Sequence, residues 1–318
     1  MDQVYVSITD RCNLRCRWCF WEDVASATND AFDLEAVVGT IGARLNGQPV
    51  MTVVFYGGEP TLRMDRVADL MARLPEAYPD LAWRFAIQTN GTRLSDVEPI
   101  ADDLWYLSVS FNEYTVPEMD WTALERLAPR LPIIARLVYA GGNFTRYVRA
   151  ALPYASHVYW QLVSAPALPF TPDAYGAALT ETLALAAESR RRFIPFDYAW
   201  ACLCGAGGYP PPGGFPCGIL DHFTYVDTNG GDFPCDELAL PEARDRLAEA
   251  FGRLETLCEG CDLLAYCRRR CPAIYVKYGQ EPFSAYCRLT RMLFDEVAAT
   301  GFVGRVPDDV SLQCEVLP

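Results

Sequence analysis

The sequence is poor in histidine, in positive charge and in long apolar runs. Its only histidines are His157 and His222, and 27 basic residues stand against 41 acidic ones, for a formal net charge of −14. This balance argues against a nucleic-acid partner, which needs a basic face, and leaves a small molecule or a peptide. No apolar run reaches membrane-spanning length, and no signal peptide precedes Val4. We therefore expect a cytoplasmic protein with no membrane partner.

Cysteine, in contrast, is abundant, with 13 residues in 318. In the reducing cytosol such cysteines are metal ligands more often than disulfides. A chain of this length exceeds the usual size of a single core, so one large domain and a smaller one are expected.

Three cysteines, Cys12, Cys16 and Cys19, have the spacing CxxxCxxC directly after the apolar run Val4–Ile8. A zinc site normally has four ligands, and no fourth cysteine occurs before Cys202. Soft thiolates favour an iron–sulfur cluster, and three of them leave one iron open to a small molecule. The alternative is that the three side chains simply pack as small apolar groups at the end of a strand.

Strand-like and helix-like segments alternate along the first two thirds of the chain, which predicts parallel βαβ units. The strand-like runs are Val4–Ile8, Thr52–Tyr56, Trp83–Gln88, Trp105–Phe111, Ile133–Tyr139 and Val158–Val163. The helical segments run from an N-cap at Asp33 to about Leu45 and over Met64–Leu74, Met119–Ala128, Phe144–Leu152 and Asp173–Arg192. Reactive groups in parallel α/β folds lie at the carboxyl ends of the strands, where polar segments occur here.

The cysteine spacing, with the aromatic Trp18, resembles the cluster motif of radical S-adenosylmethionine (SAM) enzymes. The resemblance implies a partial (β/α)6 TIM-like barrel in which Cys12, Cys16 and Cys19 hold a 4Fe–4S cluster. The unique iron of this cluster would chelate SAM, and an electron from the cluster would cleave SAM to a 5′-deoxyadenosyl radical.

The ends of the next strands also resemble this family. Gly57-Gly58-Glu59-Pro60 resembles the motif that binds the amino group of SAM, although on residues alone it is a turn. Gln88-Thr89-Asn90-Gly91 resembles a segment of the anaerobic sulfatase-maturating enzymes. The resemblance implies cofactor contacts for Trp18, Gly57, Gly58, Glu59, Pro60, Gln88, Asn90 and Ser110.

The fourth strand departs from the family after Ser110. Asn112 and Glu113 replace the last two residues of the Ser-Ile-Asp-Gly that relatives often carry, so the role of this pair is open. Asn143 and Gln161 are weaker matches, whose alternative roles are capping a helix and satisfying a strand end.

Residues 201–216 are rich in glycine and proline, which predicts neither helix nor central strand. We interpret them as a linker between domains or as an ordered loop over the active site.

A second set of seven cysteines begins at Cys217 and resembles the SPASM domain, with the pattern CxnGx4C, CxxCx5CxxxC and a final cysteine. The resemblance implies two auxiliary 4Fe–4S clusters, although CxxC pairs also bind zinc. The outer cluster would be held by Cys258, Cys261, Cys267 and Cys287. The inner cluster would be held by Cys217, Cys235 and Cys271.

The inner set lacks one ligand. We expect Cys204 to supply it rather than Cys202, because Gly205 lets the backbone turn, whereas Cys202 follows an aromatic run and is expected to pack inward. The alternative is an open iron. Arg268, Arg269 and Arg270 either offset thiolate charge or form a solvated face.

Asp236 follows Cys235, and in the sulfatase-maturating relatives a carboxylate at this place is the general base, a role that we predict for Asp236. Its alternative role is to accept hydrogen bonds that brace the loop. Cys314 is unassigned.

The sequence thus predicts a radical SAM/SPASM oxidoreductase that modifies a peptide by crosslinking, oxidation or epimerisation. Residues 1–195 would form the barrel, 196–300 the SPASM domain and 301–318 a tail. Because only eleven residues precede Cys12, we expect no amino-terminal recognition domain, so the precursor peptide would be presented by a separate protein. Flavodoxin or ferredoxin would supply electrons.

Other functions remain open at this point. The enzymatic alternatives are a small-molecule dehydrogenase and a sulfatase-maturating enzyme. The non-enzymatic alternatives are an iron–sulfur electron carrier and a zinc scaffold, neither of which needs the Gly57–Pro60 and Gln88–Gly91 segments.

Overall fold

The computed structural model describes residues 2–19, 30–209, 219, 223–239 and 242–306. The strands are β1 (Asp2–Thr9), β2 (Val50–Gly57), β3 (Ala82–Thr89), β4 (Leu104–Ser110), β5 (Ile133–Tyr139), β6 (His157–Leu162), β7 (Arg192–Phe193), β8 (Phe223–Val226) and β9 (Asp232–Phe233). The α-helices are α1 (Leu34–Ala43), α2 (Met64–Ala77), α3 (Trp121–Leu127), α4 (Phe144–Ala151), α5 (Pro172–Glu188), α6 (Ile194–Cys204), α7 (Ala243–Cys258), α8 (Leu264–Cys267), α9 (Pro272–Tyr278) and α10 (Gln280–Thr300). The described residues contain no helix long and apolar enough to cross a bilayer.

The six predicted strands are β1 to β6, and the predicted α/β class with a parallel core is confirmed. The alternation of these strands with helices is that of a partial (β/α)6 barrel, except that only short 3-10 turns follow β3. The chain forms two compact units, residues 1–134 with 220–243 and residues 135–219 with 244–318. The predicted domain boundaries stay predictions.

In the first unit, β1 pairs in parallel with β2, β2 with β3, and β3 with β4. Val4, Val6, Val53 and Phe55 are fully buried, as expected for strands that are covered on both faces. Helix α1 begins where predicted, because the Asp33 side chain accepts a hydrogen bond from the amide of Ala36.

Strand β8 was not predicted, and it lies parallel to β1 with Val6 beside Val226. The turn between β8 and β9 packs on α1, where the hydroxyl of Thr40 donates to the carbonyl of Gly230 at 2.7 Å. Gly230 has a φ of +81°, and a Cβ there would lie 2.8 Å from the backbone of Ala36. The glycine of the SPASM-like pattern is therefore required by packing in this chain.

The second unit contains a correction. The sequence interpretation of residues 201–216 is wrong for Ala201–Cys204, which form the last turn of α6. Gly205, with a φ of +63°, ends this helix in the left-handed conformation. Pro195 lies in the first turn of α6, and Gly205 ends the helix. The glycine is therefore a helix cap and does not prevent a helix from forming here. Residues 210–216 lie outside the described residues.

Candidate functional site

The cysteine loop, residues 10–19, leaves the carboxyl end of β1 and contains the three predicted ligands. A backbone hydrogen bond of 3.0 Å from Cys19 to Cys16 turns the chain between these two cysteines. Burial is the main cause of a Cys16 thiol pKa raised to about 12, and the neighbouring Cys19, Cys12 and Glu113 contribute smaller parts of the same rise. Three soft donors that lie close enough to influence one another fit the open cluster that the spacing predicts.

Within the described part of the chain, no group of three or more histidine, cysteine or acidic side chains converges on a point that suits one metal ion.

Glu59 joins the second and third strand ends. Its side chain is fully buried. Oε1 accepts hydrogen bonds from the Thr61 amide at 3.1 Å, the Thr61 hydroxyl at 2.6 Å and the Thr89 hydroxyl at 2.7 Å. Oε2 accepts one from the backbone amide of Asn90 at 2.7 Å. The two predicted cofactor segments are thereby joined into one rigid edge, in which Pro60 is also buried.

Gly57 and Gly58 bring this edge against the cysteine loop. The amide of Gly58 donates to the carbonyl of Thr9, and that of Glu59 to the carbonyl of Arg11, each at 2.8 Å. A Cβ on Gly58 would lie 2.3 Å from the Arg11 carbonyl oxygen. The two glycines thus permit a close approach between the end of β2 and the cysteine loop.

Asn90 completes the connection from β3. Its side-chain nitrogen, Nδ2, lies 3.8 Å from Cys12 Sγ and donates to Asn13 Oδ1 at 2.8 Å. The side chain of Asn13 in turn donates to Thr92 Oγ1 at 2.8 Å. The side chain of Asn90 therefore orients the first cysteine of the loop.

Gln88 and Ser108 are partners on β3 and β4, and Gln88 Oε1 and Ser108 Oγ are both buried without a hydrogen-bond partner in the described structure. Ser110 has a carbonyl that accepts from Thr115 at 2.7 Å. Gln88 thus has a buried acceptor oxygen without a hydrogen-bond partner in the described structure. For Ser110, the contact described here involves the backbone carbonyl and not the side chain.

The departure from the family at Asn112 and Glu113 has a structural explanation. Asn112 is buried, and its Oδ1 accepts from the amides of Tyr114 at 2.8 Å and Thr115 at 3.0 Å. This turn places Tyr114 edge-on against Trp18, with ring centroids 5.0 Å apart. The side chain that replaces a family aspartate therefore shapes the loop that packs on Trp18.

Sequence reasoning missed the residues that close the base of the cysteine loop. Asp30 accepts hydrogen bonds from Thr9 Oγ1 at 2.7 Å, from Arg63 at 2.7 Å and from the buried Arg66 at 2.9 Å. Arg66 also donates to the carbonyl of Ile8 at 2.7 Å. No local sequence pattern predicts the ion pairs of Asp30 with Arg63 and Arg66, because 33 and 36 positions separate the partners.

The weaker matches lie in the second unit and have ordinary partners. Gln161 Oε1 accepts from Arg136 at 2.6 Å, and Asn143 occupies the N-cap of α4 without a side-chain capping bond. Neither observation assigns them to a site.

The four cysteines predicted for the outer cluster lie together in the second unit. They line a cavity of about 130 Å³ with Leu263, Leu264, Arg269, Arg288, Thr290 and Arg291; the cysteines are Cys258, Cys261, Cys267 and Cys287. Burial raises the pKa of the Cys267 thiol to about 12, an effect that Arg270 opposes. Four thiols around one cavity fit a fully ligated cluster.

The inner ligand set stays a prediction. Cys217 lies outside the described residues, as does Cys314, and Cys235 belongs to the first unit whereas Cys204 and Cys271 belong to the second. Cys202 packs inward as predicted, at 3% exposure, and Cys204 is exposed. In the first unit, the Cys235 thiol donates to Asp236 Oδ1 at 3.3 Å.

Comparison with known proteins agrees with this geometry. The radical SAM superfamily matches residues 6–129. A tungsten-containing aldehyde ferredoxin oxidoreductase cofactor-modifying protein of Pyrococcus furiosus is 32% identical over 122 residues, which are 34% of this chain and 31% of the relative. GTP 3′,8-cyclase of Acidothermus cellulolyticus is 33% identical over 98 residues, 28% of this chain and 25% of the relative. The matches thus span less than a third of either relative.

Solved structures extend the likeness in fold over most of the chain. A structure of anSMEcpe, an anaerobic sulfatase-maturating enzyme, with bound AdoMet and the Cp18Cys peptide has a TM-score of 0.67 at 19% identity, and covers 94% of this chain and 97% of that one. A polyhistidine-tagged form with bound AdoMet gives a TM-score of 0.69 at 18% identity, covering 94% and 97%. The superfamily match includes the cysteine loop and the ends of β2 and β3, so residues 6–129 of this chain are similar in sequence to the radical SAM superfamily.

Proposed function

We propose that this protein is a radical SAM/SPASM enzyme that abstracts a hydrogen atom from a peptide and thereby crosslinks, oxidises or epimerises it. The observation that carries the proposal is the bonding of the cysteine loop to the ends of β2 and β3 through Glu59 and Asn90. The likeness in fold to a structure that holds AdoMet and a peptide supports the substrate class.

The residues of the first unit have distinct tasks in this proposal. Cys12, Cys16 and Cys19 would hold a 4Fe–4S cluster, which with SAM would supply the radical chemistry. Glu59 and Asn90 keep the loop in register with the sheet, so that the site is organised before substrate arrives. Trp18, packed on Tyr114, covers one side of the loop.

Completing an oxidation or a crosslink requires an acceptor for a proton and one for an electron, whereas an epimerisation requires a hydrogen-atom donor instead. Once a peptide C–H bond has lost its hydrogen atom, oxidation to a closed-shell product releases one electron and one proton. Asp236, whose carboxylate lies beside Cys235, is the proposed proton acceptor. The auxiliary sites would take the electron: Cys258, Cys261, Cys267 and Cys287 hold the outer one, and Cys204, Cys217, Cys235 and Cys271 the inner one.

The test begins with anaerobically reconstituted protein, dithionite and SAM. We expect about twelve irons per chain, four for each of three clusters, and formation of 5′-deoxyadenosine. Changing Cys12, Cys16 and Cys19 to Ala should abolish 5′-deoxyadenosine and leave about eight irons. The matched control changes Cys258, Cys261 and Cys287 to Ala, which should preserve SAM cleavage while reducing product.

The peptide is tested with deuterated synthetic peptides encoded by short reading frames beside the gene. Transfer of deuterium into 5′-deoxyadenosine from one of them identifies a peptide substrate. Stoichiometric zinc with little iron would refute the cluster assignment. Transfer from a deuterated small molecule such as GTP, and from no peptide, would refute the substrate class.

A further inference from the structure

The backbone between Cys267 and Cys271 is left-handed at three consecutive residues that are not glycine. The φ angles are +51° at Arg268, +69° at Arg269 and +40° at Arg270. A side chain with a Cβ disfavours this conformation, and it is rarely held by several residues in succession. A turn of this kind persists only where surrounding contacts determine it.

Arg270 supplies those contacts. Its side chain is 4% exposed, and its Nη1 donates to the carbonyl of Tyr286 at 2.7 Å and to Thr290 Oγ1 at 2.9 Å. The guanidinium also lies over the Tyr286 ring, 5.0 Å from its centroid. Arg270 therefore clamps the turn to α10, the helix that also carries Cys287.

The turn places Arg269 in the wall of the four-cysteine cavity. Its Nε is buried and has no hydrogen-bond partner within the described structure. Only the far end of the guanidinium reaches a carboxylate, with Nη2 at 3.8 Å from Glu255 Oε1. A buried N–H without an acceptor is costly, so its place in a cavity wall calls for an acceptor inside the cavity.

Arg288 and Arg291 line the same cavity in a different way. Arg291 is bound by the exposed carboxylate of Asp262, and Arg288 is itself exposed. Among the arginines of this wall, Arg269 alone presents a buried N–H that the described structure leaves unsatisfied.

We infer that Arg269 donates its Nε hydrogen to a sulfur atom of the iron–sulfur cluster in this cavity and thereby raises the reduction potential of that cluster. The inference rests on the proposed function, which assigns the outer auxiliary cluster to these cysteines. A hydrogen bond to a cluster sulfur favours the reduced state, because that state carries the greater negative charge. Arg270 acts as a positioning residue, because it fixes the turn from which Arg269 projects.

The experiment measures reduction potentials by redox titration with electron paramagnetic resonance. It uses full-length protein in which Cys12, Cys16 and Cys19 are changed to Ala, so that only auxiliary clusters contribute. At a fixed ambient potential, Arg269→Gln should lower the ratio of reduced to oxidised outer cluster about tenfold, which is about 59 mV for a one-electron couple. The outer signal is the one that the Cys258→Ala, Cys261→Ala pair removes.

Arg268→Gln is the matched control, since it removes one positive charge from the same left-handed turn at a residue that does not line the cavity. Its potential should move much less than that of Arg269→Gln. Arg269→Lys keeps the charge but lacks the planar Nε donor, and it should lower the potential in the same direction. Should Arg269→Gln fail to fold, Arg269→Lys carries the test.

The outcomes separate the two proposals. Equal potentials in Arg269→Gln, Arg268→Gln and the parent, with the iron content of all three intact, would overturn the role of Arg269 and leave the cluster assignment standing. A parent without iron in the four-cysteine cavity would overturn the assignment itself. Equal shifts in the two glutamine variants would reduce the role of Arg269 to charge alone and also contradict the inference.

Discussion

Glu59 is a buried carboxylate whose four hydrogen-bond donors come from residues 61, 89 and 90. Burial raises the pKa of this group, whereas the hydrogen bonds from Thr61, Asn90 and Thr89 lower it and leave a smaller rise. All four of these partners in the described structure are donors, so the site suits a side chain with two acceptor oxygens.

Glu59→Gln should therefore destabilise the protein. One carboxylate oxygen becomes an NH2 group that faces N–H or O–H donors, which leaves at least one buried donor unsatisfied at a cost of about 1–3 kcal/mol. Urea unfolding of the two proteins measures the difference. Glu76→Gln is the control, because the Glu76 side chain is 75% exposed and its change should be close to neutral. Equal stabilities of Glu59→Gln and the control would show that Glu59 does not brace the strand ends.

Asp236 distinguishes chemistry from bracing at a single position. If it is the base, Asp236→Asn should lower product by about a hundredfold or more while iron content and 5′-deoxyadenosine formation persist, because hydrogen abstraction precedes proton loss. The measurement is the ratio of product to 5′-deoxyadenosine, normalised to iron. An unchanged ratio, with product falling only as iron falls, would mean that Asp236 holds the Cys235 loop through the contact seen here.

Among the elements, the cysteine loop depends most on distant partners. Its predicted ligands follow directly from spacing, but Asp30, Arg63 and Arg66 close its base. The Asp30 pKa is lowered: burial, the largest single effect, raises it, but hydrogen bonds from Thr9 and Arg63 and the charge of Arg66 together outweigh burial. A nearby Asp10 has a raised pKa, chiefly through its own burial.

Asp30→Asn should cost about 1–2 kcal/mol near neutral pH, because it removes the charge that two arginines bind. A carboxylate with a lowered folded-state pKa stabilises the fold above its unfolded pKa of about 3.9, and this stabilisation is lost as the pH falls through the folded-state pKa. The parent and Asp30→Asn should thus differ fully above pH ~4 and converge in more acidic buffer. Asp65→Asn is the control, since Asp65 binds Arg63 from an exposed position. A pH-independent difference would contradict this assignment.

The elements that could be predicted are those with a strong local signal. Six β-branched and aromatic runs became β1 to β6, and the Asp33 cap was read correctly. Strand β8 has only four residues, and its partner β1 lies more than two hundred positions away, so no local period reveals it. The last turn of α6 was missed because its glycine was interpreted as a breaker of the whole segment instead of as a cap.

At the scale of the whole molecule, cysteine spacing predicts which residues share a site. It does not predict the contacts that support that site. The four outer cysteines line one cavity, as their pattern indicates. Other features have no pattern in the sequence that would reveal them: the clamp by Arg270, the buried Nε of Arg269 and the turn at Asn112. The supporting contacts therefore become visible only in the folded structure.

The hydrogen bond from Thr9 to Asp30 brings together two residues that are 21 positions apart in the chain, and so fixes both ends of the connection between them. The entropy of closing such a loop rises slowly with length, by about 0.6 kcal/mol for each doubling. Because Arg66 binds both the Ile8 carbonyl and Asp30, a longer connection between these two fixed ends would cost little additional closure entropy.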